Sequence, residues 1–108
     1  MTPSPIIQEA TRRLVENFHP AKVILFGSRA RGTASEDSDA DLLVLTKTTP
    51  GRERRQLWLA MERAMRGIGI ATDIIVMTPE EYEASKNDST SFAYPASREG
   101  RVVYERAA

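Results

Sequence analysis

The chain has 108 residues, the size of one modest domain, with 15 basic and 15 acidic side chains and a net charge of zero. That balance supplies no basic face for gripping a long nucleic acid, and the absence of cysteine excludes disulfides, thiolate catalysis and zinc–thiolate sites. No apolar run reaches the roughly eighteen residues of a membrane helix. The Met1–Pro5 start lacks the charged and apolar regions of a signal peptide, so a cytoplasmic protein is expected.

Ser4 and Pro5 fit the cap and first position of a helix, and Ile6, Ala10, Leu14 and Phe18 then repeat at helical spacing to about Asn17. The lone His19, beside Pro20, is expected to be a connector. Lys22–Phe26 is a first strand, Ser28–Gly32 a short helix, and residues 33–38 a polar loop. Asp39–Thr46 is a second strand whose near-continuous apolar run implies burial on both faces. After the break at Pro50-Gly51, residues 52–67 form a helix with Leu57, Met61, Ala64 and Met65 on one face. Arg52, Arg54 and Arg55 in its first turn read as a solvated face, with phosphate binding as the alternative. Trp58 and Met61 read as core or partner interface. Thr72–Met77 is a third strand, and Thr78-Pro79-Glu80-Glu81 is a capping box that opens another helix. A final short helix over 91–99 contains Pro95 and stops at Gly100, and Arg101–Tyr104 is a small edge strand. The expected class is α/β (α+β): a small mixed sheet flanked by helices, in one domain spanning 1–108.

Three features carry chemistry. Gly27-Ser28 closes the apolar run Val23–Phe26, where a turn into a helix offers backbone N–H groups to an anion. After a spacer of ten residues from Ser28, Asp39 and Asp41 open the second strand, and a spacing of two puts both on one face. Paired carboxylates repel unless a cation neutralises them, and hard oxygen ligands suit Mg²⁺ with substrate phosphates completing its shell. A P-loop is excluded, because Lys and Ser/Thr would have to follow the second glycine and Thr33-Ala34 stand there.

The run Gly27-Ser28, a spacer of about ten, then Asp39-x-Asp41 resembles the signature of the DNA polymerase beta-like nucleotidyltransferases. The resemblance extends from about Ile6 to Tyr104 and is nearest to the minimal nucleotidyltransferases, the antitoxin-type partners of small helical HEPN proteins. It implies a polymerase beta-like nucleotidyltransferase fold and a third carboxylate on a neighbouring strand. Asp73 alone has that context, since Glu36, Asp37, Asp88 and Glu80-Glu81 lie in a loop, near a break or at a helix start. By this resemblance Asp39, Asp41 and Asp73 are the catalytic and metal residues, with two Mg²⁺ ions, and Gly27, Ser28 and Arg29 contact the nucleotide. Arg31 is placed one turn from the site, with solvent as an equal alternative.

The implied reaction transfers AMP from ATP, or another nucleoside monophosphate from its triphosphate, to an acceptor hydroxyl. In the antitoxin group the acceptor is a tyrosine of the HEPN toxin. Template-directed synthesis is not expected, because polymerases of the superfamily carry further domains to hold template and primer. Two alternatives stand: a small-molecule, aminoglycoside-type transferase, whose relatives generally carry an extra substrate domain, and a non-catalytic module that masks its partner. Trp58, Met61, Met65, Phe92 and Tyr94 are candidate apolar contacts for a partner, with ordinary core the competing role for each.

Overall fold

The computed structural model describes residues 4–33 and 38–107. The expected polar loop therefore falls largely outside the described residues, as do Glu36 and Asp37. Among the described residues nine elements follow in order: α1 (Pro5–Phe18), β1 (Lys22–Phe26), α2 (Ser28–Arg31), β2 (Ala40–Leu45), α3 (Arg52–Ala64), β3 (Thr72–Met77), α4 (Pro79–Ser85), α5 (Ala93–Glu99) and β4 (Arg101–Glu105).

The strands form one sheet in the order β3-β2-β1-β4. β1 is antiparallel to β2 and β4, whereas β2 and β3 run parallel, so the sheet is mixed as the sequence predicts. The parallel pair is joined through α3, because parallel neighbours need a crossover and a helix supplies one. The sheet carries helices on both faces. Even-numbered residues of β2 and β3 (Ala40, Leu42, Val44, Ile74, Val76) pack with Val23, Leu25, Ile7, Ala10 and Leu14 of α1, and Met61 and Met65. Leu43 and Leu45 point the other way, onto Ile24, Phe26 and Ala96, with Tyr82 of α4 at the margin. β2 is buried on both faces because it is an inner strand between two helical layers.

The local signals explain most boundaries. The Ser4 hydroxyl accepts the Ile7 N–H at the start of α1, and His19 ends that helix in the left-handed region at φ 49°, as a connector. The capping box forms as read: the Thr78 hydroxyl accepts the Glu81 N–H at 3.0 Å, and the Glu81 carboxylate accepts the Thr78 N–H at 2.8 Å.

Three boundaries differ from expectation. β2 starts at Ala40, so Asp39 lies just before the strand rather than in it. α3 ends at Ala64, and residues 65–68 continue in tighter i→i−3 turns into Gly67 and Gly69, both at positive φ. α5 starts at Ala93, which puts Pro95 in its first turn, where a missing N–H costs nothing. Met61 and Met65, weighed as partner contacts, are core residues. Trp58 and Phe92 remain 37% and 56% exposed.

Candidate active site

The carboxylates converge because of strand register. Asp41 lies opposite Asp73 in the parallel β2–β3 pair and opposite Phe26, the last residue of β1, in the antiparallel β1–β2 pair. Both acids stand on the face that continues as Leu43, Leu45, Ile75 and Met77 toward α4 and α5. Each therefore caps a row of apolar side chains at one end of the sheet. Two residues at matching positions of neighbouring strands have close side chains, so like charges there oppose each other.

Asp41 records this crowding. Its carboxyl is held above the usual range first by burial, then by the negative charges of Asp73 and Asp39, with Arg31 opposing. Asp39 is exposed and its backbone precedes the strand, yet its charge reaches Asp41. Among the described residues, no group of three or more acid or imidazole side chains stands in ready-made metal-ligand geometry.

Gly27 makes the turn possible. Its backbone lies at φ 74° and ψ −156°, a region that only glycine occupies readily. A β-carbon at this position would also overlap the Asp41 Oδ2. The Asp41 carboxylate thus packs directly on the bare Cα side of the turn that follows β1. Ser28, half-buried, is the first residue of α2, and the Gly27 carbonyl accepts the N–H groups of Ala30 and Arg31, each at 3.1 Å.

The two arginines of α2 have distinct duties. Arg29 Nε donates to the Ser38 carbonyl at 2.8 Å, which ties α2 to the residue before Asp39. Arg31 pairs with Glu99 of α5 at 3.1 Å and supplies the positive charge felt at Asp41. Arg31 is thus engaged rather than simply solvated. Arg54 is also engaged, pairing with Glu81 of α4 at 2.9 Å, while Arg52 and Arg55 lie exposed as expected.

One acid escaped the sequence reading. Glu62 of α3 feels Asp73: its carboxyl is raised first by burial and also by the Asp73 charge, while the Ile74 N–H lowers it. Its only sequence signal is a place one turn after Trp58, which by itself describes any polar helix face. A groove of about 500 Å³ lies near Trp58 at the outer edge of β3, lined also by Pro50, Gly51, Arg54 and Val76. The three aspartates do not line it.

A mixed sheet with a glycine-serine turn packed on one of two register-matched aspartates defines a nucleotidyltransferase-type α/β protein. The chain matches the nucleotidyltransferase domain family over residues 7–96 and belongs to it. It is 67% identical over 30 residues to "Putative protein adenylyltransferase MJ1305" of Methanocaldococcus jannaschii, covering 28% of this chain and 20% of that protein. It is 51% identical over 35 residues to "Putative protein adenylyltransferase MJ0141" of the same organism, covering 32% of this chain and 35% of that protein. The matched stretches thus span about a fifth and a third of these relatives. In fold, the chain is similar to a putative nucleotidyltransferase from Sulfolobus solfataricus (TM-score 0.64, 22% identity, 94% of this chain and 78% of that one). It is also similar to a chain from a crystal structure of a toxin–antitoxin with AMP-PNP (TM-score 0.59, 21% identity, 91% and 72%). No helix among the described residues is long and apolar enough to cross a membrane.

Proposed function

We propose that this protein is a Mg²⁺-dependent protein adenylyltransferase that moves AMP from ATP to a tyrosine hydroxyl of a small helical HEPN-type partner, as the antitoxin of a toxin–antitoxin pair. The observation that carries the reading is the register match of Asp41 with Asp73 beside a glycine turn that leaves room for the Asp41 carboxylate. Family membership and the named adenylyltransferase relatives support the reaction class. The toxin–antitoxin neighbour with AMP-PNP supports the partner and the nucleotide.

The donor set fits a hard divalent cation: three carboxylates supply only oxygen, and their mutual repulsion at Asp41 is relieved by positive charge. Asp39 and Asp41 would hold the ion that carries the triphosphate, and Asp73 would share a second with them. Bound there, Mg²⁺ neutralises the triphosphate and makes the acceptor hydroxyl more acidic. Ser28 and the turn at Gly27 orient the phosphates through backbone N–H and hydroxyl donors. Arg29 steadies the segment that delivers Asp39, and its positive charge would favour the triphosphate. The acceptor oxygen bonds to the α-phosphorus, the bond to the β-phosphate bridging oxygen breaks, and pyrophosphate leaves. Asp73 takes the hydroxyl proton. Because the transition state concentrates charge on phosphate oxygens, positioning supplies much of the rate.

The test is intact-mass spectrometry of the protein co-expressed with a small helical HEPN-type protein, with ATP and Mg²⁺. An AMP adduct on the partner's tyrosine is expected, and it should vanish in Asp39→Asn and Asp41→Asn with the fold intact. A tight complex that forms no adduct and still neutralises the partner when both aspartates are Asn would establish masking instead.

A further inference from the structure

β3 is an edge strand, and among the described residues no strand lies beside its outward-facing backbone groups. The Ala40 N–H bonds the Ala71 carbonyl and the Thr46 N–H bonds the Met77 carbonyl, so odd-numbered residues of this strand face β2. Ile74, between them in parity, turns its N–H and carbonyl to the open edge. Both groups face α3. Trp58 Nε1 donates to the Ile74 carbonyl at 2.8 Å, and the Ile74 N–H favours the charged form of the Glu62 carboxyl. Trp58 and Glu62 are four residues apart, one turn of the same helix face.

This grip falls on the residue next to Asp73. A free edge strand can fray, twist or slip, and a slip of one residue would send Asp73 to the opposite face of the sheet. Trp58 is more than a third exposed, so apolar burial alone gives a weak account of its place, whereas its indole N–H has a defined acceptor. We propose that Trp58 and Glu62 are a positioning pair that clamps Ile74 by both backbone groups and so holds Asp73 opposite Asp41. The proposal rests on the reading of Asp73 as a working carboxylate. Neither side chain is a catalytic residue; both act through the strand.

Two measurements separate the clamp from the reaction. Amide hydrogen exchange by NMR on the free protein needs no turnover. In Glu62→Ala and Trp58→Phe, the Ile74 and Asp73 amides should exchange at least about tenfold faster, while the Leu25 amide at mid-sheet stays protected. In the transfer assay both variants should lose about tenfold in kcat with KM for ATP within about twofold, the signature of a misplaced group rather than lost substrate binding. Glu62→Gln keeps an acceptor oxygen and should restore most of the protection and most of kcat. Unchanged exchange at Ile74 and Asp73 in Glu62→Ala would overturn the clamp. Equal losses in Glu62→Gln and Glu62→Ala would overturn the positioning role, because the charge itself would then be in use. A wild-type protein that transfers no nucleotide would refute the reaction, while the exchange arm still decides the clamp.

Discussion

Replacing Gly27 with alanine should expose how tightly the turn is built against Asp41. The backbone there sits at φ 74°, ψ −156°, and holding a residue with a side chain in such a region costs about 1–3 kcal/mol. The new methyl would overlap Asp41 Oδ2 and stand 3.2 Å from its Cγ, adding an overpacking cost of about 1–3 kcal/mol. A total near 3 kcal/mol corresponds to roughly 10–20 °C in Tm for a chain of this size. Gly32→Ala is the control: its φ of 78° carries conformational strain, but no atom of the described residues lies within 4 Å of the added carbon. The contact is isolated by repeating Gly27→Ala in an Asp41→Ala background, where only the residue-41 β-carbon remains, at an ordinary 3.6 Å. Urea denaturation of the four proteins should show Gly27→Ala costing about 1–2 kcal/mol less without the carboxylate. Strict additivity would refute the direct packing of Asp41 on the turn.

Other outcomes follow from the same geometry. The Asp41 carboxyl is raised above 3.8, so the native state binds the proton more tightly than the unfolded chain does. Its contribution to stability is therefore most favourable below 3.8 and declines as pH rises through the native value. Asp41→Asn should stabilise the metal-free protein at neutral pH and flatten that part of a stability-against-pH curve; a wild-type-minus-variant difference that does not change with pH would contradict it. Glu9 has the opposite sign: Arg12 and Arg13 lower its carboxyl to about 2, so its stabilisation is present above 4.5 and lost on acidification. Asp73→Asn should lower kcat far more than ATP affinity, whereas Ser28→Ala should weaken ATP binding by about 1–2 kcal/mol; calorimetry with a slowly hydrolysed analogue beside steady-state kinetics distinguishes them. Thr78→Ala removes half of the α4 capping box and should cost about 1 kcal/mol in urea melts, with transfer unaffected.

The elements that could be read from sequence were those with local signals. Ser4-Pro5, the Thr78–Glu81 box, Gly100 and the apolar runs at 23–26, 42–45 and 74–77 each state their structure within a few residues. Asp39, Asp41 and Asp73 were visible because each precedes such a run. What was not visible depends on through-space partners. Nothing local says that Asp41 and Asp73 share a register position, that Gly27 faces a carboxylate, or that Arg31 crosses to Glu99 of α5. Glu62 was missed for the same reason: the Ile74 N–H reaches its carboxyl only once α3 is laid along the β3 edge. The misplaced start of β2 is a different case, since Asp39 fits the alternating pattern but precedes the first residue paired with β3.

The chain contains one tryptophan, and its indole is hydrogen-bonded to the backbone of the strand that carries Asp73. Intrinsic fluorescence of the unlabelled protein is therefore a local optical gauge of the β3 edge, because emission responds to the indole's solvent exposure and hydrogen bonding. Far-ultraviolet circular dichroism, in contrast, is dominated by the helices. Melting curves from the two signals will superimpose if the β3 edge and the helices come apart together. If the edge loosens first, the emission curve will run ahead, and the gap between the curves measures how independently that strand moves.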